Sequence, residues 1–160
     1  MKKIGTYTVR GQISETETEA GNPQRIRLFD GRFDTGYKVV EFYIWGATLS
    51  SSTNVDVSGK LATTDNLETS SAVFMNASDV REIAWAGVTG STDVVFNSAP
   101  GQIVDPDNFI VEDLFVYART AGGSTVPINY MIVMEKYDTT TSRGALAMIR
   151  NNAQNVEGDN

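Results

Sequence analysis

The feature that most limits what this chain can become is a period of two. Apolar residues recur at every second position in run after run, and that spacing places them on one face of an extended strand. The strongest run covers residues 37–45, with Val40, Phe42 and Ile44 on one side and Tyr37, Val39, Glu41, Tyr43 and Trp45 on the other. Its β-branched and aromatic content is what a pleated, half-buried surface favours. Shorter runs occupy residues 7–13 (Tyr7, Val9, Ile13), 25–30 (Ile26, Leu28), 55–61 (Val55, Val57, Leu61) and 81–86 (Ile83, Trp85), with a weaker one at 93–96. Gly59 interrupts the third of these, as a bulge or a close backbone approach would require. Residues 109–118 (Ile110, Leu114, Val116) and 128–137 (Tyr130, Ile132, Met134) flank Ala121-Gly122-Gly123-Ser124, so they are expected to pair as a hairpin.

The stretch 63–79 is polar and lacks a period, which predicts a long connection. After Asp138 the period changes: Ser142 can cap a short helix whose Ala145, Leu146, Met148 and Ile149 share an apolar stripe, followed by a polar tail. About eight strands with little helix predict an all-β, antiparallel two-sheet jelly-roll β-sandwich with a short C-terminal helix. An immunoglobulin-like sandwich is the competing arrangement, but it would show evenly spaced strands and a cysteine pair. The 160 residues suit one domain, with the sandwich over 1–138 and the helix and tail over 139–160 packed on it.

Composition narrows function more than it narrows fold. There is no cysteine, hence no disulfide, no thiolate nucleophile and no sulfur-built zinc site. There is no histidine either, which removes the usual general base near neutral pH and the commonest metal ligand. With 13 basic and 20 acidic side chains the net charge is -7, so the average surface repels a phosphate backbone and no nucleic-acid partner is expected. No apolar run approaches the roughly 20 residues of a membrane helix, and Lys2 and Lys3 are not followed by a signal-peptide core. No membrane partner is therefore expected.

Few constellations invite chemistry. Asp105-Pro106-Asp107-Asn108 offers oxygen ligands for calcium, but it lacks the glycine and distal glutamate of an EF-hand loop and has the composition of a tight turn. Glu112 and Asp113 are adjacent on a predicted strand and so point to opposite faces, unlike the paired carboxylates of a glycosidase. They read as charges at a sheet edge or subunit contact. Asp30, Arg32 and Asp34 read as a turn with an ion pair. No catalytic, metal-binding or cofactor-binding residue is assigned, and no cofactor is expected. The interface candidates are the aromatics Tyr37, Tyr43 and Trp45, together with Leu146 and Ile149 of the helical stripe. Packing against a second sheet and stacking on a sugar are the other uses of such aromatics.

Four stretches carry a family likeness. They are Lys3-Ile4-Gly5-Thr6-Tyr7, then Leu28-Phe29-Asp30-Gly31-Arg32-Phe33-Asp34-Thr35-Gly36-Tyr37-Lys38-Val39-Val40, then Val104-Asp105-Pro106 running into Ile110-Val111-Glu112-Asp113-Leu114, and Arg143-Gly144-Ala145-Leu146-Ala147-Met148. In these the chain resembles small proteins of marine bacteriophage genomes that are taken to be virion components, and the likeness covers most of its length. The resemblance brings no catalytic residues. It implies a capsid, vertex or decoration subunit located in the virion, whose partners are itself, as a homo-oligomer with a trimer favoured, and other capsid or virion proteins. The alternative is a carbohydrate- or receptor-binding module using Trp45, Tyr43 or Trp85, with Asp105 and Asp107 on calcium.

Overall fold

In the computed structural model, which describes residues 1–14, 22–29, 34–47, 55–67, 75–90, 101–122 and 125–140, the alternating runs become strands. Among those residues they are β1 (Lys2–Ile13), β2 (Gln24–Ile26), β3 (Thr35–Gly46), β4 (Val55–Ala62), β5 (Glu82–Gly90), β6 (Gln102–Ile103), β7 (Leu114–Gly122) and β8 (Ile128–Asp138). They form two antiparallel sheets, a three-stranded one in the order β1-β8-β3 and a five-stranded one in the order β2-β7-β4-β5-β6. No helix occurs among the described residues, and the expected helix with Leu146 and Ile149 lies outside them, as does the weak run at 93–96.

The core lies between the sheets. From the three-stranded side come Ile13, Phe42, Ile44, Ile128, Ile132 and Met134; from the other side come Val57, Leu61, Ile83, Leu114 and Val116, in one continuous apolar cluster. Removing each such side chain from water contributes about 1.5–3 kcal/mol, which is why a strand keeps the register that turns this face inward.

Two sequence expectations are overturned here. The runs at 109–118 and 128–137 do not form a hairpin, because β7 pairs with β2 and β4 while β8 pairs with β1 and β3. The chain between them crosses from one sheet to the other. Strand β7 also starts only at Leu114, and Ile110 makes an isolated bridge to Tyr37 through two backbone hydrogen bonds of 2.7 and 2.8 Å. Glu112 and Asp113 therefore precede the strand rather than lying on it.

The second correction concerns β3. A bulge between Val39 and Glu41 inserts one residue against β8, and an extra residue inverts the facing of everything beyond it. Tyr37 and Val39 are thus buried on the same side as Phe42 and Ile44, whereas Val40 is 44% exposed. Strict alternation assigns these residues the opposite way.

Gly59 sits in unbroken register against both Ala86 and Ala118, so it marks a close approach and not a bulge. A Cβ there would come within 2.7 Å of the Tyr117 carbonyl oxygen. Gly101, just before β6, is equally confined: its N–H donates to the Phe42 carbonyl at 2.8 Å, and a Cβ would meet that same oxygen at 2.7 Å. It ties β3 to the strand that then joins β5.

The outer face of the five-stranded sheet carries a second, smaller cluster of Ala62, Leu67 and Tyr117, with Phe115 against it. The β4–β5 connection is pinned here, since the Tyr117 hydroxyl donates to the Thr64 carbonyl at 2.8 Å and accepts the Leu67 N–H at 3.2 Å. Beside it lies a buried ion pair, Lys60 Nζ to Glu82 Oε1 at 2.6 Å, with side chains only 3% and 2% exposed. The other carboxylate oxygen accepts the Trp85 indole N–H at 2.6 Å and the Asn76 N–H at 3.0 Å.

Candidate functional site: the outer face of the three-stranded sheet

The surface worth examining is built by register. Side chains opposite the core face of β8 stand in rows with those of its two neighbours: Gln12, Asn129 and Trp45; Arg10, Met131 and Tyr43; Thr8, Val133 and Glu41; Thr6, Glu135 and Lys38. Trp45, Tyr43, Met131 and Val133 are each half-buried, and Val40 beside them is exposed. The rows form one face with an apolar centre.

Its rim is polar and internally paired. Gln12 Nε2 donates to Asn129 Oδ1 at 2.9 Å, and the Tyr43 hydroxyl donates to Glu41 at 3.1 Å. Donating this bond favours the protonated phenol, and with desolvation and the nearby Glu41 charge it raises the Tyr43 pKa. At the other end, Glu135 receives Lys3 Nζ on one oxygen and the Tyr137 hydroxyl on the other. The Lys3 hydrogen bond first, then that from Tyr137, holds the Glu135 carboxyl below its ordinary value, while Tyr137 is raised by the same contact. These are exposed or half-buried groups that orient one another.

The sequence-derived candidates are split by the fold. Tyr43 and Trp45 lie on this face, two residues apart on β3. Tyr37 does not: at 7% exposure it belongs to the core, its ring 5.7 Å from Tyr7 and 5.9 Å from Lys136 Nζ, which corrects its reading as a solvent-facing aromatic. Leu146 and Ile149 lie outside the described residues. Met131, Val133 and Val40 were not anticipated. For the first two a signal existed: residues 130–134 are Tyr, Met, Ile, Val and Met, and an apolar residue at every position marks a strand with apolar character on both faces.

The other candidates have local structural work. Asp105 accepts the Asn108 side-chain N–H at 3.1 Å and its backbone N–H at 3.4 Å, and Asp107 lies 3.5 Å from Lys38 Nζ. Among the described residues no three acidic side chains gather where they could hold a metal ion. Trp85 is tied by its indole N–H to Glu82. Asp34 accepts the Thr139 N–H on its carbonyl at 2.9 Å, while Asp30 and Arg32 lie outside the described residues.

Glu112 and Asp113 line an open depression of about 260 Å³ with Arg25, Phe29, Thr63 and Phe115. Asp113 binds the Arg25 guanidinium, with Nε at 2.6 Å, and accepts the Leu28 N–H at 3.0 Å and the Phe29 N–H at 3.5 Å. Burial pushes its pKa up, but the Arg25 and backbone hydrogen bonds together outweigh burial and leave it lowered. Its role is to fasten the segment after β2 to the start of β7.

No protein-family model matches the chain, and comparison with curated proteins gave no match.

Proposed function

We propose that the chain is a jelly roll that serves as a non-enzymatic structural protein of a bacteriophage virion, a capsid, vertex or decoration subunit that assembles with itself and with other virion proteins. The observation that carries this reading is the outer face of Trp45, Tyr43, Met131, Val133 and Val40. Half-exposed aromatic and aliphatic side chains with a polar rim are the anatomy of a protein contact.

The finer fold assignment rests on nesting. A jelly roll is one long hairpin rolled up, so its strands pair first with eighth, second with seventh, third with sixth and fourth with fifth. Here β1 pairs with β8, β2 with β7 and β4 with β5, and the Gly101 to Phe42 hydrogen bond brings the start of β6 to β3. The family likeness of the four sequence stretches points the same way, and a trimer is the favoured oligomer. Fold alone does not establish role.

The test is the native mass of the purified full chain by light scattering, with and without chelator. An oligomer insensitive to chelator is expected, and Trp45→Asp is expected to lower its mass with an unchanged circular dichroism spectrum. Sugar stacking is the second reading, favoured by the side-by-side Tyr43 and Trp45. It would displace the first if the chain bound a glycan array through Trp45 while its mass ignored Trp45→Asp.

A further inference from the structure

Among the described residues, strand β1 is long and unpaired on one side. It runs through 12 residues at the edge of its sheet, and β8 is the one strand that pairs with it among the described residues. Apart from Ile13, its residues are exposed or half-exposed. An edge of this kind presents unpaired N–H and C=O groups, and proteins ordinarily disarm it with lysines, prolines, bulges or inward-pointing charges. The disarming features here are confined to one end: Lys2, Lys3 and the register shift between Lys3 and Gly5. Residues 5–13 form a regular ladder with no proline, no acidic residue and a single charge, Arg10.

We propose that this edge is a pairing site for the β1 edge of a second copy, joined antiparallel across a two-fold axis at Val9. The partner follows from the strand's own pattern. A two-fold axis requires each residue to meet one that shares its face, which excludes registers that bring odd positions opposite even ones. An axis at Arg10 would place two guanidinium groups opposite each other, and an axis at Thr6 would place Lys2 opposite Arg10. An axis at Val9 uses the whole regular stretch. Thr6 then meets Gln12 and Thr8 meets Arg10 on the outer face, while Tyr7 meets Gly11 and Val9 meets Val9 on the core side.

Apolar positions thus meet apolar or small ones, polar meet polar, and no like charges stand opposite. Tyr7, 42% exposed in the single chain, gains a covered neighbour. The two three-stranded sheets become one continuous sheet of twice the width, on whose outer face the two apolar patches are separated by the polar β1 positions Thr6, Thr8, Arg10 and Gln12 of each copy. This pairing goes beyond the virion reading and does not depend on it, because it uses backbone groups at an edge while that reading rests on side chains of a face.

The register supplies a test with opposite signs at one exposed position. In this dimer residue 8 stands opposite Arg10 of the partner subunit, and the symmetry makes the contact twice. By sedimentation velocity over a concentration series, Trp45→Asp is expected to remain dimeric. In that background Thr8→Lys is expected to weaken the dimer roughly threefold to tenfold and Thr8→Glu to strengthen it by a similar factor, each effect shrinking in high salt. Thermal melts of both variants should match the parent at concentrations where the chain is monomeric. A chain that stays monomeric at all concentrations overturns the pairing, and so does an oligomer indifferent to both substitutions or weakened by both. Failure of Trp45→Asp to change the wild-type mass would instead count against the face.

Discussion

Replacing Lys60 by methionine removes one member of the buried ion pair while leaving the other where it is. Glu82 would keep its hydrogen bonds from Trp85 and from the Asn76 N–H, but its charge would lose the ammonium 2.6 Å away in a site that admits almost no water. An uncompensated charge of this kind costs about 3–5 kcal/mol. For a domain of this length that corresponds to a fall in Tm of roughly 8–15 °C. Glu82→Gln takes the carboxylate charge from the lysine instead and should also destabilise the fold. The double variant Lys60→Met with Glu82→Gln has no buried charge, and the amide oxygen can still accept from Trp85 and Asn76. It should therefore be more stable than either single variant, with a coupling energy of about 2 kcal/mol or more. Urea titration followed by tryptophan fluorescence reads this directly, since the Trp85 indole rests on Glu82. Additive costs, or single losses below about 1 kcal/mol, would refute the claim that the pair is dry and mutually dependent.

Two further outcomes test other parts of the structure. Asp113 has its pKa lowered in the folded state, so its contribution is complete above the unfolded carboxylate value near about 4 and is lost as pH falls through the lower folded value. Asp113→Asn should accordingly lose about 1–2 kcal/mol at pH 7 in urea titrations, and its gap from wild type should close in the acid range; a gap that stays constant down to pH 2 contradicts the assignment. The β3 bulge predicts unequal neighbours: Val39→Ala should cost about 2 kcal/mol and Val40→Ala less than about 0.5, and equal costs would mean that the strand keeps strict alternation.

The strands themselves were legible because period two and β-branched content are local properties. All of the runs that fall within the described residues contain strand, with shifted ends. Their partners were less legible. Residues 109–118 and 128–137 lie next to each other in sequence and share a glycine-rich link, which favours a hairpin when only neighbours are considered. In the fold β8 takes β1 and β3 instead, and both of its faces are apolar, a pattern present at residues 130–134 but not used to choose partners. β6 is only two residues long and could not announce itself.

Two of the five residues at the centre of the face could be read in advance for the same reason. Tyr43 and Trp45 lie beyond the bulge and face outward as alternation from Phe42 and Ile44 requires. Tyr37 lies before it, and a single inserted residue moves it into the core.

What the chain's composition and local pattern determine by themselves is the kind of structure and the kind of chemistry: β-strands with one apolar face, and no side chains for thiol or imidazole catalysis. Tertiary structure decides which strands meet, where the bulge falls, which aromatics are left on the surface and that a lysine and a glutamate can be buried together. Those outcomes depend on contacts between residues far apart in the chain, whose energies appear only after the sheets have closed on one another.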